Sequence, residues 1–451
     1  MPQPVANPNV FISAGEASGE AYGALLIEEL RRQLAARGEQ AKFWGMGGPR
    51  MAAAGLDRVV RAEDMAVMGI TEVVRHLPRI WREFRKLKQA IRDRRPSVAM
   101  LIDFPDIHFK LARELHALGV PVVYFVSPQL WAWKKHRIKL VQRYVNRMLV
   151  IFPFEEQFYR ERGVDAEFVG HPLAELMAPT ISRQGFAEQN GLDPGKTWIG
   201  LLPGSRAKEI RDNLAEMLVV GRMIAAQDMA EQGLKPAPTQ SGGLGTAEAV
   251  PCYKAQQGRS DSGGFEREAY EFVLPLAPTL TPAKRDWVRQ FVAGQARGLT
   301  VHFVDDARAA LSYARASIVA SGTATVEAAL IGNPFVVVYR VSPVTYAIAK
   351  RVVTVPHVAM VNLIAQKRLI PELIQDDFTA SNVVRELMPL LPDGPPRQSM
   401  MKELAELRGL LQSGVRGTST HPAPSVARVA EVTLELLEKS QTAPARPVAS
   451  A

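Results

Sequence analysis

The segment Val10-Phe11-Ile12-Ser13-Ala14-Gly15-Glu16-Ala17-Ser18-Gly19-Glu20 constrains the fold more than any other stretch of the chain. A short apolar run breaks into small residues and then into the helical stretch Ala24–Leu30. Glycine has no Cβ, so a ligand can approach bare backbone in such a turn, and the helix start behind it can hold an anion. The same pattern returns at Ile199-Gly200-Leu201-Leu202-Pro203-Gly204-Ser205-Arg206 and at Ala320-Ser321-Gly322-Thr323-Ala324-Thr325-Val326-Glu327. One such loop near the start and two in the second half argue for two nucleotide-fold domains facing one cleft.

A chain of 451 residues is also too long for one compact core. Strands are expected at Val10–Ser13, Lys42–Gly45, Val98–Ile102, Val122–Val126, Met148–Ile151 and Glu167–Val169. The second half repeats them at Trp198–Leu202, Glu271–Pro275, Val301–Val304, Ser317–Ala320 and Phe335–Tyr339. Amphipathic helical stretches such as Phe109–Leu118 lie between. This alternation predicts an α/β fold with parallel, doubly wound sheets, and ligands in such sheets bind at the carboxyl ends of strands. The expected units are residues 1–172, residues 173–395, and helices over 396–440 that pack back across both. The stretch 233–265 is poor in bulky apolar residues and reads as a flexible surface insertion. The tail 441–451 is expected to be disordered.

The formal net charge of +9 favours an anionic partner through surface potential. Cys252 is the single cysteine, which excludes an intramolecular disulfide and a cysteine-based zinc cage. Met1-Pro2-Gln3-Pro4 has neither a basic n-region nor an apolar h-region, so no secretory signal is expected. No apolar run reaches 18 residues, and no membrane-spanning helix is expected.

Asp103-Phe104-Pro105-Asp106 follows the apolar run Val98–Ile102, so Asp103 stands at a strand's carboxyl end. A carboxylate there can face the cleft as a general base, its pKa raised by burial or lowered by a cation. The alternative is a helix cap, and Asp106 suits that role better. In Pro203-Gly204-Ser205-Arg206, Gly204 and Ser205 can expose amides and Arg206 can clamp an anion. The spacing is not that of a Walker A loop, and an ordinary strand-to-helix turn gives the same pattern. Ser321, Gly322 and Thr323 read as a helix start whose amide dipoles suit a diphosphate, with Ser321 or Thr323 as cap. Glu327 lies one turn on, placed either for ribose hydroxyls or as a surface carboxylate.

Leu77, Ile80, Trp81, Phe84 and Leu87 share a helical face among Arg75, Arg79, Arg82, Arg85, Lys86 and Lys88. Such a helix can lie on an anionic bilayer or pack its apolar side into a core. The aromatic and basic stretch Tyr124–Arg137 reads as a packed loop lining the cleft rather than a nucleic-acid platform. No D-x-D triplet and no His cluster occurs, and His171 reads as a packed or capping residue. No metal and no cofactor are expected.

Together these segments resemble the lipid-A-disaccharide synthase family, glycosyltransferase family 19. The resemblance also takes in Ala66–Val73, Val126–Trp133, Phe152–Glu155, Val169–Pro172 and Tyr339–Pro343. Nine motifs run in family order across residues 10–375. It implies a glycosyltransferase-B architecture and an inverting transfer from UDP-2,3-diacylglucosamine to 2,3-diacylglucosamine 1-phosphate, giving a β-1,6-linked disaccharide phosphate and UDP. By the family's pattern Asp103 matches the base. Gly204, Ser205, Arg206, Ser321, Gly322, Thr323 and Glu327 match the UDP site, and Asn362 a position near the nucleotide. Gly15, Glu16 and Ser18 would face the cleft from the other side.

Both implied substrates carry acyl chains in a membrane. This points to peripheral docking on the cytoplasmic face of the inner membrane through Val67, Met68, Ile70, Leu77, Ile80 and Trp81. Nucleic acid is not an expected partner, because no reading motif accompanies the charge. Some family members exchange C-terminal segments in a swapped dimer, so a homodimer stays an open expectation. Glu20, Val361 and Ala347 depart from the residues usual at their positions. Other UDP-N-acetylglucosamine enzymes share the architecture but lack the Asp103 and Trp131–Trp133 motifs. A nucleotide-sugar or lipid-binding module without turnover is the other alternative.

Overall fold

The computed structural model describes residues 8–65, 70–132, 134–175, 179–231, 270–277, 280–342, 346, 357–412 and 424–442. The expected insertion over 233–265 and the expected disordered tail lie outside the described residues, apart from Gln441 and Thr442, which end a helix.

Apolar runs bounded by small residues build two parallel sheets. The first contains β1 (Asn9–Ala14), β2 (Lys42–Gly47), β3 (Asp57–Arg61), β4 (Val98–Ile102), β5 (Val122–Phe125), β6 (Arg147–Val150) and β7 (Ala166–Phe168). The second contains β8 (Thr197–Leu202), β9 (Tyr270–Pro275), β10 (Val301–Val304), β11 (Ala316–Ala320), β12 (Phe335–Tyr339) and β13 (Glu372–Ile374). Central strands such as β4 and β11 are buried at every residue, which is why they read as unbroken apolar runs. The eleven strands expected from sequence are all present. β3 and β13 were not expected: β3 has a single buried residue, Val60, and β13 has three residues in all.

The strand order is β3-β2-β1-β4-β5-β6-β7 in the first sheet and β10-β9-β8-β11-β12-β13 in the second. Each sheet therefore reverses direction once, between β1 and β4 and between β8 and β11. The crevice at such a reversal is where doubly wound sheets bind ligands. The loops that leave β1, β4, β8 and β11 carry Glu16, Asp103, Arg206 and Gly322.

The final helix, Ser425–Thr442, returns to the first half and packs on helix Ala17–Ala36. Arg428 fixes it there by bonding Glu167 at 2.6 Å, and the Ser425 hydroxyl donates to the Gly170 carbonyl at 3.2 Å. Val429, Ala430, Val432 and Leu434 of this helix join a single apolar cluster that also takes in β1, β4, β8 and β11. Burial of apolar surface in this shared cluster favours the association of the two halves.

Candidate active site

Asp103 closes β4 with φ +51°, and Phe104 follows with φ +53°. Val126, at the end of the neighbouring β5, has φ +63°. Three side-chain-bearing residues thus adopt the left-handed conformation side by side. Each costs about 1–2 kcal/mol, and such outliers persist where surrounding structure over-determines them. The Asp103 amide still belongs to the sheet, donating to the Phe125 carbonyl at 2.9 Å. Its own carbonyl accepts from the Tyr124 hydroxyl at 2.7 Å and from His108 at 2.5 Å. The turn needs room on its β1 side: a Cβ on Gly15 would stand 2.4 Å from the Phe104 ring.

Burial pushes the Asp103 carboxyl up to about 7, the Glu16 carboxylate adds repulsion, and the Phe104 amide partly offsets both. The hydroxyl of Tyr22 is raised well above its ordinary value, first by burial, then by Glu327 and then by Asp103. One buried tyrosine is thus influenced by a carboxylate from each half. Gln129 reaches across from one half to Met360 in the other, 3.5 Å away.

Buried Glu155 holds the loop beside β5. It accepts from the Ser127 hydroxyl at 2.7 Å, the Trp131 indole at 3.1 Å and the Phe152 amide at 3.3 Å. Desolvation outweighs these bonds and lifts its carboxyl to about 7.

On the second sheet, the turn after β8 runs through Gly204 at φ +120°, a conformation that favours glycine. The amides of Ser205 and Arg206 converge on one carboxylate oxygen of Glu209, at 3.2 and 3.3 Å, and the Arg206 guanidinium bonds the other at 2.9 Å. The loop thus already cradles an anionic group with exposed amides and a guanidinium. After β11, Gly322 is the N-cap of helix Thr323–Ile331 and no side chain caps it. Ser321 and Thr323 do not cap, contrary to expectation. The Thr325 amide bonds the Gly322 carbonyl at 3.1 Å, and the amides of Thr323 and Ala324 are left for solvent or a ligand. Glu327 is about a quarter exposed, with Arg308 3.9 Å away; burial raises its pKa and Arg308 opposes the rise.

A family model for lipid-A-disaccharide synthetase matches residues 10–233 and 267–419. The chain is 56% identical over 443 residues to the lipid-A-disaccharide synthase of Acidobacterium capsulatum, covering 96% of this chain and 97% of that one. It is 46% identical to that of Koribacter versatilis, covering 94% and 98%. This chain belongs to the lipid-A-disaccharide synthase family. It is a glycosyltransferase of lipid A biosynthesis. Residues 234–266 fall outside the family match. Solved structures share the two-domain fold at low identity. The UDP-GlcNAc 2-epimerase of Neisseria meningitidis bound to UDP-GlcNAc superposes with a TM-score of 0.56 at 10% identity, covering 95% of this chain and all of that one. A calicheamicin glycosyltransferase gives 0.53 at 15%, covering 98% of this chain and all of that one. The fold class is therefore that of glycosyltransferase-B enzymes.

Most residues singled out for the synthase site stand at the two switch points. Gly15 precedes helix Ala17–Ala36, Glu16 is its N-cap, and Ser18 lies in its first turn. Asn362, which matches a family position near the nucleotide, has its side chain taken up within the protein. It is fully buried, its amide donates to the Ile370 carbonyl and Glu372, and its oxygen accepts from the Leu369 and Ile370 amides. It shapes the loop before β13. Asp106 does not cap its helix: Phe104 is the N-cap, and exposed Asp106 pairs with Arg137 at 2.7 Å.

The apolar face of the basic helix Ile70–Arg94 is mostly core. Phe84, Leu87 and Ile91 are buried, and Ile80 packs half-buried against them rather than facing outward. Trp81 is 50% exposed. Val67 and Met68 lie outside the described residues, as do the side chains of Ile70 and Leu77. His171 is buried and neutral, its pKa pushed down to about 3, and its Nδ1 accepts from the Leu173 amide at 3.1 Å. Sequence reading gave no role to His108, Tyr22, Glu155 or Glu209, although Glu155 ends the family segment Phe152–Glu155 and Glu209 follows Arg206 by three residues at a helix start.

Proposed function

We propose that the chain transfers a diacylglucosamine unit from UDP-2,3-diacylglucosamine to 2,3-diacylglucosamine 1-phosphate with inversion at the anomeric carbon. The observation that carries this reading is Asp103, held in a left-handed turn at the first switch point with its carboxyl pushed up to about 7. A pKa near the working pH suits a general base. As the acceptor's 6-hydroxyl attacks the anomeric carbon, its proton passes to the Asp103 carboxylate. The anomeric C–O bond to UDP breaks in the same in-line step, so an α-linked donor gives a β-1,6 product.

The first half, residues 1–172, takes the acceptor and the second, residues 173–395, takes UDP. The amides of Ser205 and Arg206, with the Arg206 guanidinium, form the diphosphate cradle. Their grip on the Glu209 carboxylate supports this, because a phosphate makes the same demands on donors. The open amides of Thr323 and Ala324, at the start of helix Thr323–Ile331, favour the growing charge on leaving UDP. Ser321, Gly322 and Thr323 line that end, and Glu327 is placed for ribose hydroxyls.

Among the described residues no helix is long and apolar enough to cross a membrane. Docking on the anionic inner-membrane surface therefore falls to exposed Trp81 and the basic side of its helix, where Arg85 stands 5.5 Å over the indole.

The test is a mass-spectrometric assay in mixed micelles with donor alone and with donor plus acceptor. The expected result is a disaccharide monophosphate and UDP only when acceptor is present. Donor hydrolysis without acceptor, or no donor consumption across several acyl-chain lengths, contradicts the reading.

A further inference from the structure

Three groups that the transfer step does not touch fix the turn that carries Asp103. Ser13, His108 and Tyr124 are each wholly buried. His108 lies in the first turns of helix Pro105–Ala117, five residues past Asp103 and hydrogen-bonded back to it. A backbone carbonyl can only accept, so the Nδ1 that meets the Asp103 carbonyl carries the ring's proton. Burial keeps the ring neutral, its pKa pushed down to about 3, so Nε2 is left as an acceptor. The partner found there is the Ser13 hydroxyl, 2.8 Å away, which can donate. Every hydrogen-bonding group in the chain Ser13–His108–Asp103 is matched in one direction only.

The geometry matters because of where the chain runs. Ser13 is in β1, three residues before Glu16, and Asp103 is at the end of β4. The imidazole therefore ties together the two strand ends that flank the first switch point. Its ring also packs edge-on against Phe104, 5.7 Å between centres, and against Tyr124, 6.1 Å away. Phe104 and Asp103 are consecutive residues in the left-handed region. The Tyr124 hydroxyl also donates to the Asp103 carbonyl, at 2.7 Å, so loss of the imidazole leaves one donor of two and unties the turn from β1, which lets it relax and swing the carboxyl away from the cleft.

We propose that His108 is the positioning residue of the general base, holding the Asp103–Phe104 turn through its Nδ1–H, and that Ser13 selects the tautomer that makes this possible. The inference rests on the reading of Asp103 as the base.

The experiment compares wild type with His108→Leu, His108→Gln, Ser13→Ala and Asp103→Asn in the full chain. It measures UDP affinity, kcat, KM and the pH profile. His108→Leu loses both bonds and is expected to lower kcat about 100-fold, the scale of a misplacement of about 1 Å at the chemistry. UDP affinity and donor KM stay within about two-fold, and the acidic limb of the profile moves toward the ordinary carboxylate range. His108→Gln, which keeps an N–H for the carbonyl, recovers most of kcat, and Ser13→Ala falls about ten-fold. If His108→Leu no longer binds UDP, Ser13→Ala decides alone: wild-type kcat with an unmoved limb overturns the proposal. Wild-type kcat and limb in His108→Leu, beside an inactive Asp103→Asn, overturn the positioning role and leave the base standing. Full turnover in Asp103→Asn removes the base, and this inference with it.

Discussion

At the switch point of the first sheet the chain turns through Asp103 and Phe104, two side-chain-bearing residues in the left-handed region. It holds them with a buried serine, histidine and tyrosine. At the switch point of the second sheet it turns through Gly204 and Gly322 and leaves Ser205, Arg206 and Thr323 exposed. The topology is the same and the chemistry is opposite. A base needs one position and a tuned pKa, and both come from burial and a backbone that cannot relax. A diphosphate cradle needs accessible amides and a guanidinium, and it must let product leave. Glycine turns provide that access without strain.

The contrast can be broken at several points. Asp103→Asn keeps the shape and removes proton acceptance, so kcat should fall by about 10²–10⁴ while UDP affinity is unchanged. A matched loss of UDP affinity would put Asp103 on the nucleotide side. Arg206→Ala should do the reverse. UDP binding measured by calorimetry weakens about 10- to 100-fold, the value of a hydrogen bond to a charged group, with little change in kcat at saturation. A fall in kcat with UDP affinity unchanged would mean that the second loop acts on the transition state alone.

Glu155 tests the buried side through stability. Its folded pKa, about 7, lies above the ordinary 4.5, so its contribution is complete below about pH 4.5 and is lost as pH rises through about 7. Glu155→Gln has no charge to desolvate. Between pH 5 and 8 it should gain on wild type by on the order of 1–3 kcal/mol in denaturant unfolding. A constant difference across that range would mean that the carboxyl does not titrate in the fold. The smallest effect is expected at the surface: Trp81→Glu should lower flotation with anionic liposomes several-fold, about the loss of one buried aromatic anchor, and leave turnover in micelles intact. Unchanged flotation removes Trp81 from the docking face.

Much of this was legible from sequence, for reasons visible in the residues. Apolar runs such as Val98–Ile102 are buried along their whole length, so their strand character survives without context. The glycine loops follow β1, β8 and β11, strands that flank the reversals, so their places at strand ends are readable from local pattern. Context-dependent roles were not legible. His108 sits between Ile107 and Phe109, where a histidine reads as core; its role appears only when β1 brings Ser13 to within 2.8 Å. Asn362 was read only as matching a position near the nucleotide, and its side chain makes four bonds with Leu369, Ile370 and Glu372 that no local pattern announces. The face holding Ile80 and Trp81 was one stripe in sequence, yet the core takes Ile80 and leaves Trp81 outside.

The most direct measurement is the pH dependence of kcat/KM for wild type and Asp103→Asn between pH 5 and 9. A single ionising base with its carboxyl near 7 gives a wild-type rate that climbs ten-fold per unit at low pH and levels off just above 7, with no such limb in the variant. A flat wild-type profile, or the same limb in both proteins, would contradict Asp103 as the base.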